Sequence, residues 1–303
     1  MISDATRQAL RYVKVSDRNL DLRFFPDFLI VGPQRTGTTW LHAHLRYHPQ
    51  IMLSEPKELF FFSSLKTPEG PRFRSNELEA YLRFFHEPLW RVTLRHLISL
   101  WRYRERYHPK VRGEATASYA ALDRDVIADI TVLNPDVKII LMIRNPIDRA
   151  WSHAKKDLAR NRGRQLADVS AEEFERFFSD PYQRQCARYA ENIDNWSACL
   201  RPGHLLVGLF DDIDTRPEAL LLAVMSFLGV SSDRRYVSDA VRQAVNPTQP
   251  SKIPERHRRF LEELLRDDAA QLRERFGLSW PATGAVARSN EKFIFALHEG
   301  GTA

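Results

Sequence analysis

The passage from Phe28 to Trp40 restricts this chain more than any other. Phe28-Leu-Ile-Val-Gly32 is a short apolar run that stops at glycine. A run that is apolar at every position, rather than at alternate ones, reads as a strand buried on both faces, as in parallel sheets. Thr38 to His48 then reads as a helix, with Thr38 near the cap and Pro49 closing it. A strand, a glycine-bearing loop and a helix in close succession commit the start of the chain to an α/β unit.

The same grammar returns further along. Val137-Lys-Ile-Ile-Leu-Met-Ile-Arg144 predicts a second buried strand. Asn145 as N-cap and Pro146 at the first helical position then open a helix from about Ile147 to Asn161. His204 to Phe210 predicts a third strand, followed by a helix from Pro217 to Leu228, and Arg112 to Thr116 a short strand between the first two. Gln183 to Leu200 and Pro254 to Phe276 carry helical periodicity. Strands alternating with helices predict an α/β fold: a parallel sheet flanked by helices on both faces, in a single domain. The boundaries expected are an N-terminal extension over 1–27 and the domain over 28–303, with an irregular basic insertion over about 67–110.

Composition narrows the class. Hydrophobic residues make up 43% of the chain, enough for a large core, and no stretch has the apolar length a membrane span needs. The first residues, MISDATRQALRYVKVSDRN, lack the apolar stretch of a secretory signal, so a cytoplasmic protein is expected. Cys186 and Cys199 lie about 20 Å apart along a helix, beyond disulfide reach, and read as buried thiols. A net charge of +6 and a pI near 9.4 favour anionic partners, among them nucleic acid, anionic lipid, acidic glycan and nucleotide phosphate, without choosing between them.

The loop itself is more specific. Gly32-Pro-Gln-Arg-Thr-Gly-Thr-Thr-Trp40 has the G-x-x-x-x-G-[K]-[ST] spacing of a nucleotide-binding phosphate loop, in the strand-to-helix context that motif requires. Glycines let successive N–H groups turn toward phosphate oxygens, and the helix N-terminus adds its positive end. Thr38 stands where nucleoside triphosphatases place the lysine that holds the β- and γ-phosphates. Here the cation has moved forward to Arg35, which suits one phosphate with an attached sulfuryl group better than a triphosphate with metal. The plainer alternative is a tight turn with an exposed arginine.

A second anchor lies in Ile143-Arg-Asn-Pro-Ile-Asp-Arg-Ala-Trp-Ser152. Arg144 sits where the second strand meets its loop, at the edge where ligands of open α/β sheets bind, and Ser152 follows on the next helix. An arginine fork and a hydroxyl can hold a separate phosphate there. The alternative is Arg144 paired with Asp148 and Ser152 bonded to its own helix.

Together these motifs resemble the 3′-phosphoadenosine 5′-phosphosulfate (PAPS)-dependent sulfotransferases, and most of all their heparan-sulfate-type, carbohydrate branch. Glu55-Pro-Lys-Glu-Leu-Phe-Phe-Phe62, Gly113-Glu-Ala-Thr-Ala-Ser-Tyr119 and Tyr189-Ala-Glu-Asn-Ile-Asp-Asn-Trp196 extend the resemblance, in order, from about Phe28 to Leu228. It implies a P-loop-like fold that moves a sulfuryl group from PAPS to a hydroxyl or amine of an acceptor, a carbohydrate or small metabolite. Adenosine 3′,5′-bisphosphate is the product, and no metal is required. Arg35, Thr36, Gly37, Thr38 and Thr39 would cradle the 5′ end, Arg144 and Ser152 would hold the 3′-phosphate, and Tyr189 belongs to the same site. Trp40 either stacks on adenine or packs as a core aromatic.

Charge builds on the bridging oxygen as the S–O bond breaks, so a fixed cation lowers the barrier, and Arg35 takes that role. Arginine effectively cannot give up a proton, so its part is electrostatic only. Glu58 is the base that the resemblance implies; Glu55, Glu114, His42 and His44 are rivals. Three departures stand out: Arg35 replaces the usual lysine, Ala115 stands where heparan-type enzymes have lysine, and Asn246–Lys252 matches their late loop weakly.

Arg91 to Arg112 is arginine-rich with aromatics between. It either lines a cleft for an acidic or sugar-like acceptor, contacts RNA, or forms an amphipathic helix with Leu94, Leu97, Ile98 and Trp101 inward and the arginines in water. Two other functions compete. A P-loop kinase or nucleoside triphosphatase is disfavoured by Thr38 and by the strand ending in Arg144 rather than an acid. A non-catalytic RNA-binding protein leaves the paired phosphate anchors unexplained, so nucleic acid is not the partner expected.

Overall fold

In the computed structural model, which describes residues 2–17, 19–243, 252–280 and 286–288, five strands form one parallel sheet. They are β1 (Phe28–Val31), β2 (Ile51–Leu53), β3 (Val111–Ala115), β4 (Lys138–Ile143) and β5 (Leu205–Leu209), in the order β2-β3-β1-β4-β5. Phe28 lies opposite Gly113 on one side and Lys138 on the other. From β1 the sheet grows outward both ways, so the C-terminal ends of β1 and β4 flank the crevice at the switch in strand order.

Period-two geometry explains the apolar runs. Leu29 and Val31 enter one core, with Ile139, Leu141, Ile143 and Val207. Phe28 and Ile30 enter the opposite one, with Ile140, Met142 and Leu206. Helices α1 (Thr38–Leu45) and α6 (Pro217–Leu228) cover the second face, through Leu41, Leu45, Leu221 and Val224. Helices α3 (Arg124–Leu133) and α5 (Tyr189–Ser197) cover the first, through Ile127, Ile130, Ile193 and Trp196. The remaining two helices used below are α2 (Leu89–Tyr103) and α4 (Pro146–Ala154). Residues before Phe28 join the same core through Ile2, Val13 and Phe25, and the N–H groups of Arg11, Tyr12 and Val13 all donate to the Asp129 carboxylate at 2.8–2.9 Å.

Several expectations change in detail. The helix expected over Ile147–Asn161 is α-helical only to Ala154, then widens into a π turn at Lys155–Ala159. Its N-cap is as expected: the Asn145 side chain accepts the N–H of Ile147 at 2.9 Å, with Pro146 next. The segment 183–200 is two helices, broken where Arg188 leaves helical geometry (ψ 61°), and 254–276 breaks likewise at Leu265. The insertion read as irregular contains α2, a helix of 15 residues. That helix is turned the opposite way from expectation: Leu94, Leu97 and Trp101 are exposed, while Arg91 and Arg95 lie inward. Cys186 is a buried thiol and Cys199 a half-buried one.

Candidate active site

The phosphate loop is held in shape by contacts that only glycine permits. Gly32 has φ 152°, and a Cβ there would lie 2.5 Å from the Met142 carbonyl oxygen. Gly37, the N-cap of α1, has φ 95°, and a Cβ there would strike Ile213 Cδ1 at 2.3 Å. Between them the Thr36 hydroxyl donates to the Pro33 carbonyl at 2.8 Å, and Gln34 Nε2 donates to the Tyr182 hydroxyl at 2.6 Å. Thr36 and Thr38 are buried. Thr39 is half-buried at the first turn of α1, whose N-terminus aims into the crevice end of the loop.

Arg35 links the two motifs found in the sequence. Its Nε donates to Ser152 Oγ at 2.9 Å, and Arg144 Nη1 donates to the Arg35 carbonyl at 3.2 Å. The Arg144 guanidinium lies over the Phe210 ring, 4.1 Å from its centre. Arg144 therefore does not form the local pair with Asp148 considered above; it reaches across to the loop. Ser152 likewise bonds to the loop arginine.

The corner is strongly cationic. Burial, with Arg144 and Arg160 nearby, pulls the Arg35 pKa below its ordinary value. Lys155 is lowered by burial, then by Arg144 and Arg35. Lys156 is lowered by burial and Arg35, against the pull of Glu58. These lysines and Arg160 were not singled out in the sequence, because the π turn that brings them toward Arg35 has no sequence signature. Tyr189 is fully buried at the start of α5, and burial raises its hydroxyl pKa to about 12. Its hydroxyl is buried near Arg149 and Arg144. Trp40 is 3% exposed, packs in the core and donates from Nε1 to the Val241 carbonyl at 3.1 Å. Of its two readings, core packing is the one realised, because a ring so covered offers adenine no face.

Glu58 occupies the loop after β2. Its Oε2 accepts the Ala117 N–H at 2.9 Å, and Oε1 meets Lys57 Nζ. Among the described residues four non-glycines have left-handed backbones: Arg35 (φ 78°), Glu58 (φ 69°), Phe60 and Arg104. Such conformations cost on the order of 1–3 kcal/mol each and gather at functional sites. Two of the four are the residues singled out for catalysis.

The rivals sit in different surroundings. Glu55 is ringed by arginines, with Arg46 Nη2 at 3.0 Å, Arg91 in direct contact and Arg95 at 3.9 Å. Glu114 is fully buried, accepts from the Tyr81 hydroxyl and from Thr116 Oγ1 at 2.6 Å, and is pushed up to about 7 by burial. His42 is buried and held down to about 4 by burial and by Lys57, Arg46 and Arg95, which leaves it neutral and weakly basic. His44 packs on the Trp40 ring at 4.7 Å. Of Asn246–Lys252 only Lys252, exposed, lies among the described residues. No cluster of three or more potential metal-ligating side chains occurs among the described residues.

A parallel sheet with a phosphate loop at its switch point and a second arginine anchor beside it defines a protein built to hold a phosphorylated nucleotide. The sulfotransferase domain family matches residues 25–253, and the chain belongs to that family. Two curated relatives are the bifunctional heparan sulfate N-deacetylase/N-sulfotransferase 2 of Bos taurus, 27% identical over 220 residues, and that of Homo sapiens, 28% identical over 225. Each alignment covers 70% of this chain, and the chain spans 23% of the length of those relatives. Among solved structures, a sulfotransferase from Alicyclobacillus acidocaldarius superposes with a TM-score of 0.59 at 26% identity, covering 82% of this chain and 94% of its own.

Proposed function

We propose that this protein transfers the sulfuryl group of PAPS to a hydroxyl or amine of a carbohydrate acceptor. The observation that carries the proposal is the meeting of Arg35, Ser152 and Arg144 at the C-terminal ends of β1 and β4. Family membership supports the donor, and relatives named as heparan sulfate N-sulfotransferases support a sugar acceptor.

In this reading the acceptor oxygen or nitrogen bonds to sulfur as the bond from sulfur to the bridging oxygen of the 5′-phosphate breaks. Adenosine 3′,5′-bisphosphate departs, and the acceptor proton passes to the Glu58 carboxylate. Little covalent work falls to the protein, as in phosphoryl transfer, so positioning and charge dominate. The loop N–H groups and the N-terminus of α1 receive the 5′ end. Arg35, oriented by Ser152, meets the charge that grows on the bridging oxygen. Arg144 and Ser152 stand for the 3′-phosphate. Glu58 is the base that the family resemblance implies, itself paired with Lys57, while Glu55 is committed to arginines, Glu114 is sealed in the core and His42 is held near 4.

Melting curves with nucleotides test the donor. Adenosine 3′,5′-bisphosphate at 100 times its Kd should stabilise by about 2.7 kcal/mol without Mg²⁺, and AMP or ATP at the same concentration clearly less. Equal shifts with ATP, or a strict need for Mg²⁺, would sink the assignment. Transfer of labelled sulfuryl group from PAPS to an N-desulfated glycosaminoglycan oligosaccharide, with a simple phenol alongside, tests the acceptor.

A further inference from the structure

Helix α2 is amphipathic and faces the wrong way for a core helix. Trp90, Leu94, Leu97 and Trp101 share one side at helical spacing and are 68%, 49%, 59% and 76% exposed, with Leu89 85% exposed beside them. The opposite side is polar yet turned inward. Ser99 is buried and its Oγ donates to the Glu105 carbonyl at 2.7 Å, Arg95 Nε pairs with Glu87 at 3.0 Å, and Arg91 pairs with Glu55. The apolar stripe is thus held outward by ion pairs behind it. The two indoles stand about 16 Å apart along the axis, near the ends of the stripe.

Charge around the stripe selects what covers it. From Leu89 to Arg104 the chain has no acidic residue, only Arg91, Arg95, His96, Arg102 and Arg104. Arg102, Arg104 and Arg106 are exposed at the C-terminal end, and the groove beside Trp101 adds exposed Arg242. Arg234 and Arg235 in that groove meet Glu218 and Glu105, and exposed Asp239 lines it beside Arg242, so Arg102, Arg104 and Arg106 carry most of the outward charge. A helix with tryptophan and leucine on one face and arginine on its flanks lies in the interface of an anionic bilayer. A second copy docked stripe to stripe would offer these arginines no acidic residue of the helix.

We infer that α2 is a peripheral membrane-docking element, seating Trp90, Leu94, Leu97 and Trp101 among the headgroups of anionic lipid while Arg102, Arg104 and Arg106 meet phosphate. This inference is independent of the proposed reaction. It also fixes an orientation. Glu55, bound to Arg91, precedes Glu58 by three residues, so the Glu58 side of the crevice is tied to the docking helix.

Flotation of the full chain with vesicles of 7:3 phosphatidylcholine and phosphatidylglycerol, against pure phosphatidylcholine, tests the inference. The wild type should float at least tenfold more with the anionic vesicles, with a blue shift of tryptophan emission, and should lose most of that binding in 0.5 M salt. Leu94→Gln/Leu97→Gln and, separately, Trp90→Ser/Trp101→Ser should each lower partitioning at least tenfold. Their circular dichroism spectra and cooperative thermal unfolding should match those of the wild type, which shows that the fold is intact. Undiminished flotation of both double variants would mean that net charge alone does the binding, and would overturn the inference. So would absence of anionic flotation by the wild type. So too would sedimentation showing a dimer that the variants dissolve, for then a second copy covers the stripe.

Discussion

Two arginine clusters, one at the phosphate loop and one beneath α2, are built on opposite plans. Beside the phosphate loop, Arg35 Nε donates to a hydroxyl and Arg144 contacts a carbonyl and an aromatic ring, with Asp148, Asp211 and Asp214 near enough to Arg144 to favour its charged form. Beneath α2, Arg91, Arg95 and Arg46 meet the carboxylates of Glu55 and Glu87, which position and neutralise at once. The first arrangement gathers cations at the loop, where Lys155, Lys156 and Arg160 also act on Arg35, and the second fastens a helix. A basic sequence by itself does not distinguish a binding site from a rivet; the acceptor atoms do.

The sharpest way to break this contrast is at the crevice base. Glu58→Gln keeps shape and hydrogen-bonding reach but cannot take a proton. Turnover on an aliphatic alcohol acceptor should fall about 10²–10⁴-fold with nucleotide binding retained. If Glu55→Gln is instead the variant that binds normally and does not turn over, the Glu55 side is catalytic and the division fails.

Arg35→Ala comes next. Because its charge matters most as the S–O bond breaks, turnover should fall roughly 10²–10³-fold, well beyond any loss of donor affinity. Arg35→Lys should retain much of the rate. An alanine variant with normal turnover removes Arg35 from the mechanism.

A buried acid beneath Glu58 gives a prediction in pH. The native structure holds the Glu114 proton to about 7, against an ordinary value of 4.5, because burial penalises the charge. Its contribution to stability is therefore complete below about pH 4.5 and declines as pH rises to about 7, by on the order of 3 kcal/mol. Glu114→Gln should flatten the chemical-denaturation profile across that window. An unchanged slope would mean that Glu114 ionises there as freely as in the unfolded chain.

The two smallest effects form a matched pair. Arg144→Ala should weaken adenosine 3′,5′-bisphosphate by about 1.5–3 kcal/mol, the worth of a charge-assisted hydrogen bond, and leave AMP nearly untouched. Arg46→Ala, from the partly exposed Arg46–Glu55 pair, should cost about 0–1 kcal/mol of stability and leave nucleotide affinity alone. Calorimetric titration separates them. Equal losses for AMP in the first, or any nucleotide loss in the second, would merge the two plans.

How much of this was legible follows from what each element needs. Strands β1, β4 and β5 are buried on both faces, so each is written as an apolar run, broken only by Lys138 at the start of β4. Strand β2, three residues long, is too short to write anything distinctive. The Asn145–Pro146 cap is chemistry local to two residues and reads directly. The breaks at Arg188 and Leu265 involve neither glycine nor proline, and only tertiary packing decides them. The loop and Arg144 were visible as motifs; that Arg35 bonds Ser152 follows from the strand order, which no single motif encodes. Left-handed backbone at Glu58 leaves no trace, since glutamate gives no hint of positive φ. The facing of α2 failed for a related reason. Its periodicity is plain, but which side turns inward depends on Glu55, more than thirty residues upstream.

The π turn at Lys155–Ala159 carries a consequence of another kind. A helix that widens for one turn holds a surplus residue, and everything beyond it is rotated relative to an ordinary helix. Whether Lys155, Lys156 and Arg160 point their charge toward Arg35 is therefore a matter of counting as much as of chemistry. A chain one residue shorter across this turn, with every charged side chain kept, would have the same ionic inventory and a differently aimed field. Length at this spot is a variable that evolution can adjust without altering a single functional group.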